Sequence, residues 1–252
     1  MNPSLTYLLL FLSVAVGVLL VLMLRPEDKQ KIKLLISFSG AYVFAVTVLH
    51  LLPEVYRAEV PNGHDHDHAG GHWIGLLILA GFFLQLLLEY FSHGIEHGHA
   101  HTHHFGHIPV GMMTGLCIHA FVEGMPLGGV AIHPGMEHSQ RMLLAGIVMH
   151  NIPVSIVLFS MLLHNGIARN RALALMFAFA LMSPLGMLAS DLIAQASRYT
   201  HELMALVIGI FLHISTTILF ESSEEHRYNR RKVVAIAVGA AVAILTSSLP
   251  HH

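Results

Sequence analysis

Eight separate runs of about twenty mostly apolar residues divide this chain, near 3 to 24, 34 to 54, 72 to 92, 109 to 131, 140 to 163, 171 to 194, 201 to 221 and 232 to 249. Twenty helical residues cover roughly 30 Å, the depth of the hydrocarbon layer of a bilayer. Backbone polar groups find no water there, so each run must close its own hydrogen bonds as a helix. The expectation is an all-α, polytopic membrane protein of eight transmembrane helices, forming one domain over residues 1–252. The first run has no positive head and too long an apolar core for a cleaved signal, so it reads as a retained span. Composition agrees: 11% of residues are charged, where a soluble domain carries about a quarter. With 13 Lys and Arg against 15 Asp and Glu there is no basic face, which sets nucleic acid aside as a partner. The single cysteine, Cys117, excludes an intrachain disulfide and a multi-thiolate metal site.

Orientation follows from the cations, which accumulate on the cytoplasmic side of a membrane. Arg25, Lys29, Lys31, Lys33, Arg169, Arg171, Arg227, Arg230, Arg231 and Lys232 lie after spans one, five and seven; Arg57, Arg141 and Arg198 lie after spans two, four and six. Ten of thirteen therefore fall on one side, and both termini are expected outside. The host is a cell (inner) membrane, or an organelle membrane if the source is eukaryotic.

Two polar connections are rich in histidine. The first, over 55–71 on the outer side, contains His64, His66 and His68; the second, over 93–108 on the cytoplasmic side, contains His93, His97, His99, His101, His103, His104 and His107. Neither has an apolar period that could build a core, and both are expected to be flexible. Alternating imidazoles suit transition metals, and a solvated linker is the plainer reading.

Inside the membrane an ionisable side chain costs roughly 2.5 to 3.5 kcal/mol on insertion scales, so such residues tend to face an interior and have a task. "GLCIHAFVEGMPLGG", residues 115–129, holds His119 and Glu123 four positions apart, on one helix face and about a turn apart. A metal clamp and a mutually satisfied buried pair both fit that spacing. The next span carries His150 and Asn151 in "GIVMHNIPVSIVL", residues 146–158. Both histidines lie about ten residues, or ~15 Å, into their spans from opposite sides, so they are expected to meet near the midplane. Pro126 and Pro153 free the carbonyls of Val122 and Met149 there, as irregular backbone lining a polar path would. Two imidazoles and a carboxylate suit Zn(II), with Fe(II), Mn(II), Co(II) and Cd(II) as competitors. The thirteen methionines scatter without a repeated spacing, which argues against Cu(I).

"HAFVEG" followed by "HNIP", together with "HLLPE" at 50–54, "GFFLQLLLE" at 81–89, eight spans and a histidine-rich loop after the third, resembles the ZIP family of divalent-metal transporters over nearly the whole chain. The resemblance implies metal uptake toward the cytoplasm by alternating access, without ATP, in a homodimer, with the bundle containing spans four and five moving against the rest. Where family members with two adjacent metals carry Asn, an acidic residue or histidine, and Glu, this sequence has Ala120, Val154 and Ser183. Glu123 is then the only midplane carboxylate left, and one anion should not hold two dications side by side. A mononuclear site of His119, Glu123 and His150 is expected, its shell completed by Asn151 or water.

His50 and Glu54 are candidates for an entry point and Glu89 for the exit, with interfacial anchoring as the alternative for each; His213 could line the path, and Asp191 is nearly embedded. The cytoplasmic histidines could accept metal or sense its level. Two rival readings are an intramembrane zinc hydrolase with Glu123 as general base, and a metal sensor that does not transport.

Overall fold

The computed structural model describes residues 2–24, 29–57, 68–92, 110–128, 136–193, 199–220 and 230–248, and all regular structure among them is helical. The helices are α1 (Pro3–Leu24), α2 (29–57), α3 (His68–Ser92), α4 (Val110–Gly124), α5 (Glu137–His164), α6 (Arg169–Leu192), α7 (Thr200–Phe220) and α8 (Arg230–Ser248). Helices α1 to α7 are long and apolar enough to cross a membrane. The eighth, which opens on Arg230, Arg231 and Lys232, packs along α2. The chain is thus an all-α polytopic membrane protein.

Helix ends run past several apolar runs because a hydropathy window marks only the part that needs hydrocarbon. Thus α3 begins at His68 and α5 at Glu137, ahead of the expected 72 and 140. Helix α2 also carries a feature the apolar pattern does not encode, a π-helical turn at Thr47–Leu51, with the Leu52 N–H bonding to the Thr47 carbonyl. The next residue, Pro53, has no N–H to offer the Leu49 carbonyl, and the helix widens immediately before it. Pro126 acts differently, ending α4 in a 3-10 turn at Met125–Leu127. The amide of Gln140 on α5 donates to the freed carbonyls of Pro126 and Gly128, at 3.1 and 3.3 Å. Pro153 lies inside α5, which continues through it.

The helices sort into two groups. One apolar cluster draws its buried residues from α1, α4, α5 and α6, among them Val14, Leu116, Phe159 and Phe179, with Ile167 from the α5–α6 turn. The other is built mainly from α2, α3, α7 and α8 and from the α5 face turned toward them, including Leu143 and Ile147. Within each group, glycines bring backbones into contact. A Cβ on Gly81 of α3 would fall 1.9 Å from the Leu206 carbonyl oxygen of α7, and one on Gly209 would fall 1.9 Å from that of Ile78. Across α4 and α6, Gly124 and Gly186 would meet the carbonyl oxygens of Ser183 and Phe121 at 2.0 and 1.9 Å. Between the groups, a Cβ on Gly146 of α5 would meet a side chain rather than backbone, the ring edge of Phe211 at 3.1 Å.

Candidate metal site

Helix periodicity puts His119 and Glu123 on the same face of α4, and His119 Nε2 lies 2.9 Å from Glu123 Oε1. His150 comes from α5, its ring edge-to-face with that of His119 and the centroids 5.9 Å apart. One ligand atom from each of the three residues lies within 4.8 Å of the other two, and all three side chains are buried. Donors on one tetrahedral zinc sit ~3.3 to 3.5 Å apart, given bonds of roughly 2.0 to 2.1 Å. Small side-chain rotations close that difference. Among the described residues no other three His, Cys, Asp or Glu side chains converge in this way.

Glu123 is completely buried, and its Oε2 has no hydrogen-bond partner among the described residues. A carboxylate in that state is costly unless a cation joins it. The other side of the His119 ring explains how the site is aimed. Its Nδ1 lies 2.9 Å from Oε1 of Gln85, a fully buried residue of α3. An amide oxygen only accepts, so Nδ1–H donates to it and Nε2 is the nitrogen directed at Glu123. In a neutral ring Nε2 presents a lone pair to a carboxylate oxygen; a proton or a metal ion between them turns that repulsion into attraction. Orientation of a ligating histidine through its second nitrogen is a usual feature of metal sites. Gln85 is missing from the residues singled out by sequence. Its signal was a lone amide within an apolar span, four positions before Glu89.

Asn151 follows His150 on α5 and points to a different face. Its amide nitrogen donates to Ser13 Oγ of α1 at 3.2 Å, and Ser13 Oγ donates in turn to the Leu10 carbonyl at 2.6 Å. Ala120, Val154 and Ser183 are all buried.

The outlying candidates separate into two ends. Glu89, at the end of α3, meets His213 of α7, with His213 Nδ1 3.5 Å from Glu89 Oε2 and the imidazole packed on Phe82. Sequence had proposed both residues without pairing them. At the opposite end, Glu54 lies beside Arg57 at 3.7 Å, and the ring of His50 faces that of His138 on α5. Asp191 of α6 accepts from the Tyr7 hydroxyl of α1 at 3.1 Å, tying two helices of one group together. His64, His66 and the seven histidines from His93 to His107 lie outside the described residues, while His68 begins α3.

Residues 109–247 match the family described as ZIP Zinc transporter, which covers more than half of the chain and both ligand-bearing helices. The chain belongs to the ZIP family. It is similar to Zinc transporter ZIP9 of Xenopus tropicalis, 29% identical over 170 residues, or 63% of this chain and 56% of that protein. Zinc transporter ZIP9-A of Xenopus laevis is 29% identical over 185 residues, 66% of this chain and 61% of the relative. Zinc transporter ZIP9 of Micropogonias undulatus is 27% identical over 159 residues, covering 55% and 51%. This ZIP chain therefore spans about half to three fifths of the length of these relatives.

Proposed function

We propose that this ZIP chain carries divalent transition metal, most readily zinc, across a membrane toward the cytoplasm, binding one ion at a time at His119, Glu123 and His150. The observation that carries the reading is the fully buried Glu123, held against His119 with its second oxygen unpartnered among the described residues. A cation that joins the buried carboxylate offsets the cost of its burial. Three protein donors and an exchangeable fourth position suit a carrier, which has to release what it binds. Family membership and the zinc transporters named above support the same cargo. Iron, manganese, cobalt and cadmium share the donor preferences and compete.

The triad lies against a boundary between the two helix groups. Its ligands belong to α4 and α5, on the side of α1 and α6, while Gln85 approaches from α3 in the other group. Movement of α1, α4, α5 and α6 as a body against α2, α3, α7 and α8 would carry the ion and exchange the Gln85 contact, giving alternating access. Glycine seams within each group keep the bodies rigid. The cation count supports an orientation with both chain ends outside, in which metal leaves toward the Glu89–His213 end. There the histidine-rich loop of 93–108 would receive it. Assembly as a homodimer belongs to this reading, and the outward apolar stripe of α3, including Leu76, Leu79, Phe83 and Leu86, is available to a second copy or to lipid.

The hydrolase reading needs a general base free to take a proton from metal-bound water, whereas Glu123 lies 2.9 Å from His119 Nε2, which supports the role of a ligand beside that imidazole. Zinc accumulation in proteoliposomes separates the three readings. A carrier fills the vesicles and binds one zinc per chain at the triad; a sensor binds without accumulation; a hydrolase shows turnover of substrate and no flux. Two equivalents of tightly bound zinc per chain would sink the mononuclear assignment.

Glu89→Gln tests the route out. The triad is untouched, so zinc affinity should stay within about twofold while the rate of accumulation falls about tenfold, equivalent to ~1.4 kcal/mol on a barrier. An unchanged rate would return Glu89 to the role of an interfacial anchor.

A further inference from the structure

His50 and His138 are in different helix groups, far from the triad. His50 sits in the π-helical turn of α2, and His138 is the second residue of α5. Their rings lie edge-to-face with centroids 5.7 Å apart, close to the 5.9 Å between the triad's own two histidines. Two imidazoles bound through nitrogen to one ion at roughly 2.0 Å place their centroids ~5 to 6 Å apart. His50 Nε2 is buried and has no hydrogen-bond partner among the described residues. His138 precedes His150 by twelve residues on α5, or ~18 Å of helix. No ion shared with the triad could reach both.

The π turn helps to explain the meeting. One extra residue per turn rotates everything beyond it on α2, and the turn lies just ahead of Pro53, which has no N–H to offer the Leu49 carbonyl. The ring of His50 faces across the boundary to α5, edge-to-face with that of His138.

We propose that His50 and His138 form a second transition-metal site, a two-histidine clasp that joins the two helix groups at the end of the molecule opposite Glu89 and His213. With two neutral donors and no carboxylate, the clasp binds more weakly than the triad and keeps water in its remaining positions. It therefore fills only when metal is abundant. One of its ligands rides on each group, so an ion bound to both holds the groups in the arrangement seen here and opposes their relative motion. Excess metal on that side would then slow the carrier through a site separate from the one that carries. The regulatory part rests on the transport reading above; the existence of the site does not.

Binding is tested where the triad is disabled. In full-length Glu123→Gln protein, added zinc should still raise Tm, since an ion that bridges both groups stabilises the folded state. Adding His50→Ala or His138→Ala should remove that rise. If Glu123→Gln does not yield folded protein, His150→Ala serves as the background. No zinc-dependent rise, or a rise that survives both histidine substitutions, overturns the clasp and leaves the triad reading standing. In proteoliposomes, wild-type uptake should climb with external zinc and then decline. His50→Ala and His138→Ala, with the triad intact, should keep the climb and lose the decline. A decline that persists in both variants overturns the regulatory role, whereas loss of all uptake in wild type, with the Tm response intact, overturns transport but not the site.

Discussion

Glu123→Gln should abolish zinc accumulation and weaken zinc binding at the triad by on the order of 10² to 10³-fold. Gln keeps the size and shape of the side chain, so the change isolates the charge. In the present structure the carboxylate is completely buried, with His119 Nε2 2.9 Å from Oε1 and, among the described residues, no hydrogen-bond partner on Oε2. Breaking a buried charge pair by removing one member costs about 3 to 5 kcal/mol, and 1.4 kcal/mol is a factor of ten in binding. The first figure refers to a site closed to water, as this buried one is. His119→Ala should match the loss, because it removes a ligand and leaves the buried carboxylate without its neighbour. Gln85→Leu should be milder, about 10 to 100-fold, because it removes only the hydrogen bond that orients the ring. Isothermal titration of the detergent-solubilised protein and vesicle uptake read the two quantities separately. Full zinc affinity in Glu123→Gln would mean that the metal sits elsewhere, and the carrier reading would lose its centre.

The triad was legible in the sequence because two kinds of regularity sufficed to find it. The four-residue spacing of His119 and Glu123 is a property of any helix, and the similar depth of His150 follows from counting residues across a layer of known thickness. Apolar run length likewise gave the helices, with ends displaced by a few residues. What remained hidden depends on how one helix faces another. Gln85 could be recognised as a polar residue in an apolar span, but not as the partner of His119, because single-helix periodicity carries no information about neighbours. Glu89 and His213 were noticed singly for the same reason. His138 went unnoticed altogether: near a helix end, where water is close, a histidine raises no expectation of function. Its relation to His50 depends on a π turn, and hydrophobic patterns assume a uniform 3.6-residue period.

A second large effect should distinguish the seams inside the helix groups from the boundary between them. Gly209→Ala and Gly186→Ala should each prevent the formation of monodisperse folded protein, although Ala is the better helix former. The obstruction lies in the neighbouring backbone: the new Cβ would be 1.9 Å from the carbonyl oxygen of Ile78 or Phe121. A flexible side chain could yield, but a carbonyl engaged in its own helix moves only with that helix. Ordinary overpacking costs about 1 to 3 kcal/mol, and separation of two close-packed helices in lipid exceeds it because their association depends on that contact. Gly146→Ala is the control across the boundary. Its Cβ would meet the edge of the Phe211 ring at 3.1 Å, a displacement of a few tenths of an ångström. Folded protein with unchanged zinc affinity and slower accumulation is expected, since the added methyl roughens a surface that has to slide. Size-exclusion profiles, Tm and uptake together decide the matter. If all three substitutions are equally disruptive, the two groups are one rigid body and the moving-bundle mechanism fails; if the seam variants fold normally, the backbone contacts proposed to keep each group rigid are not made.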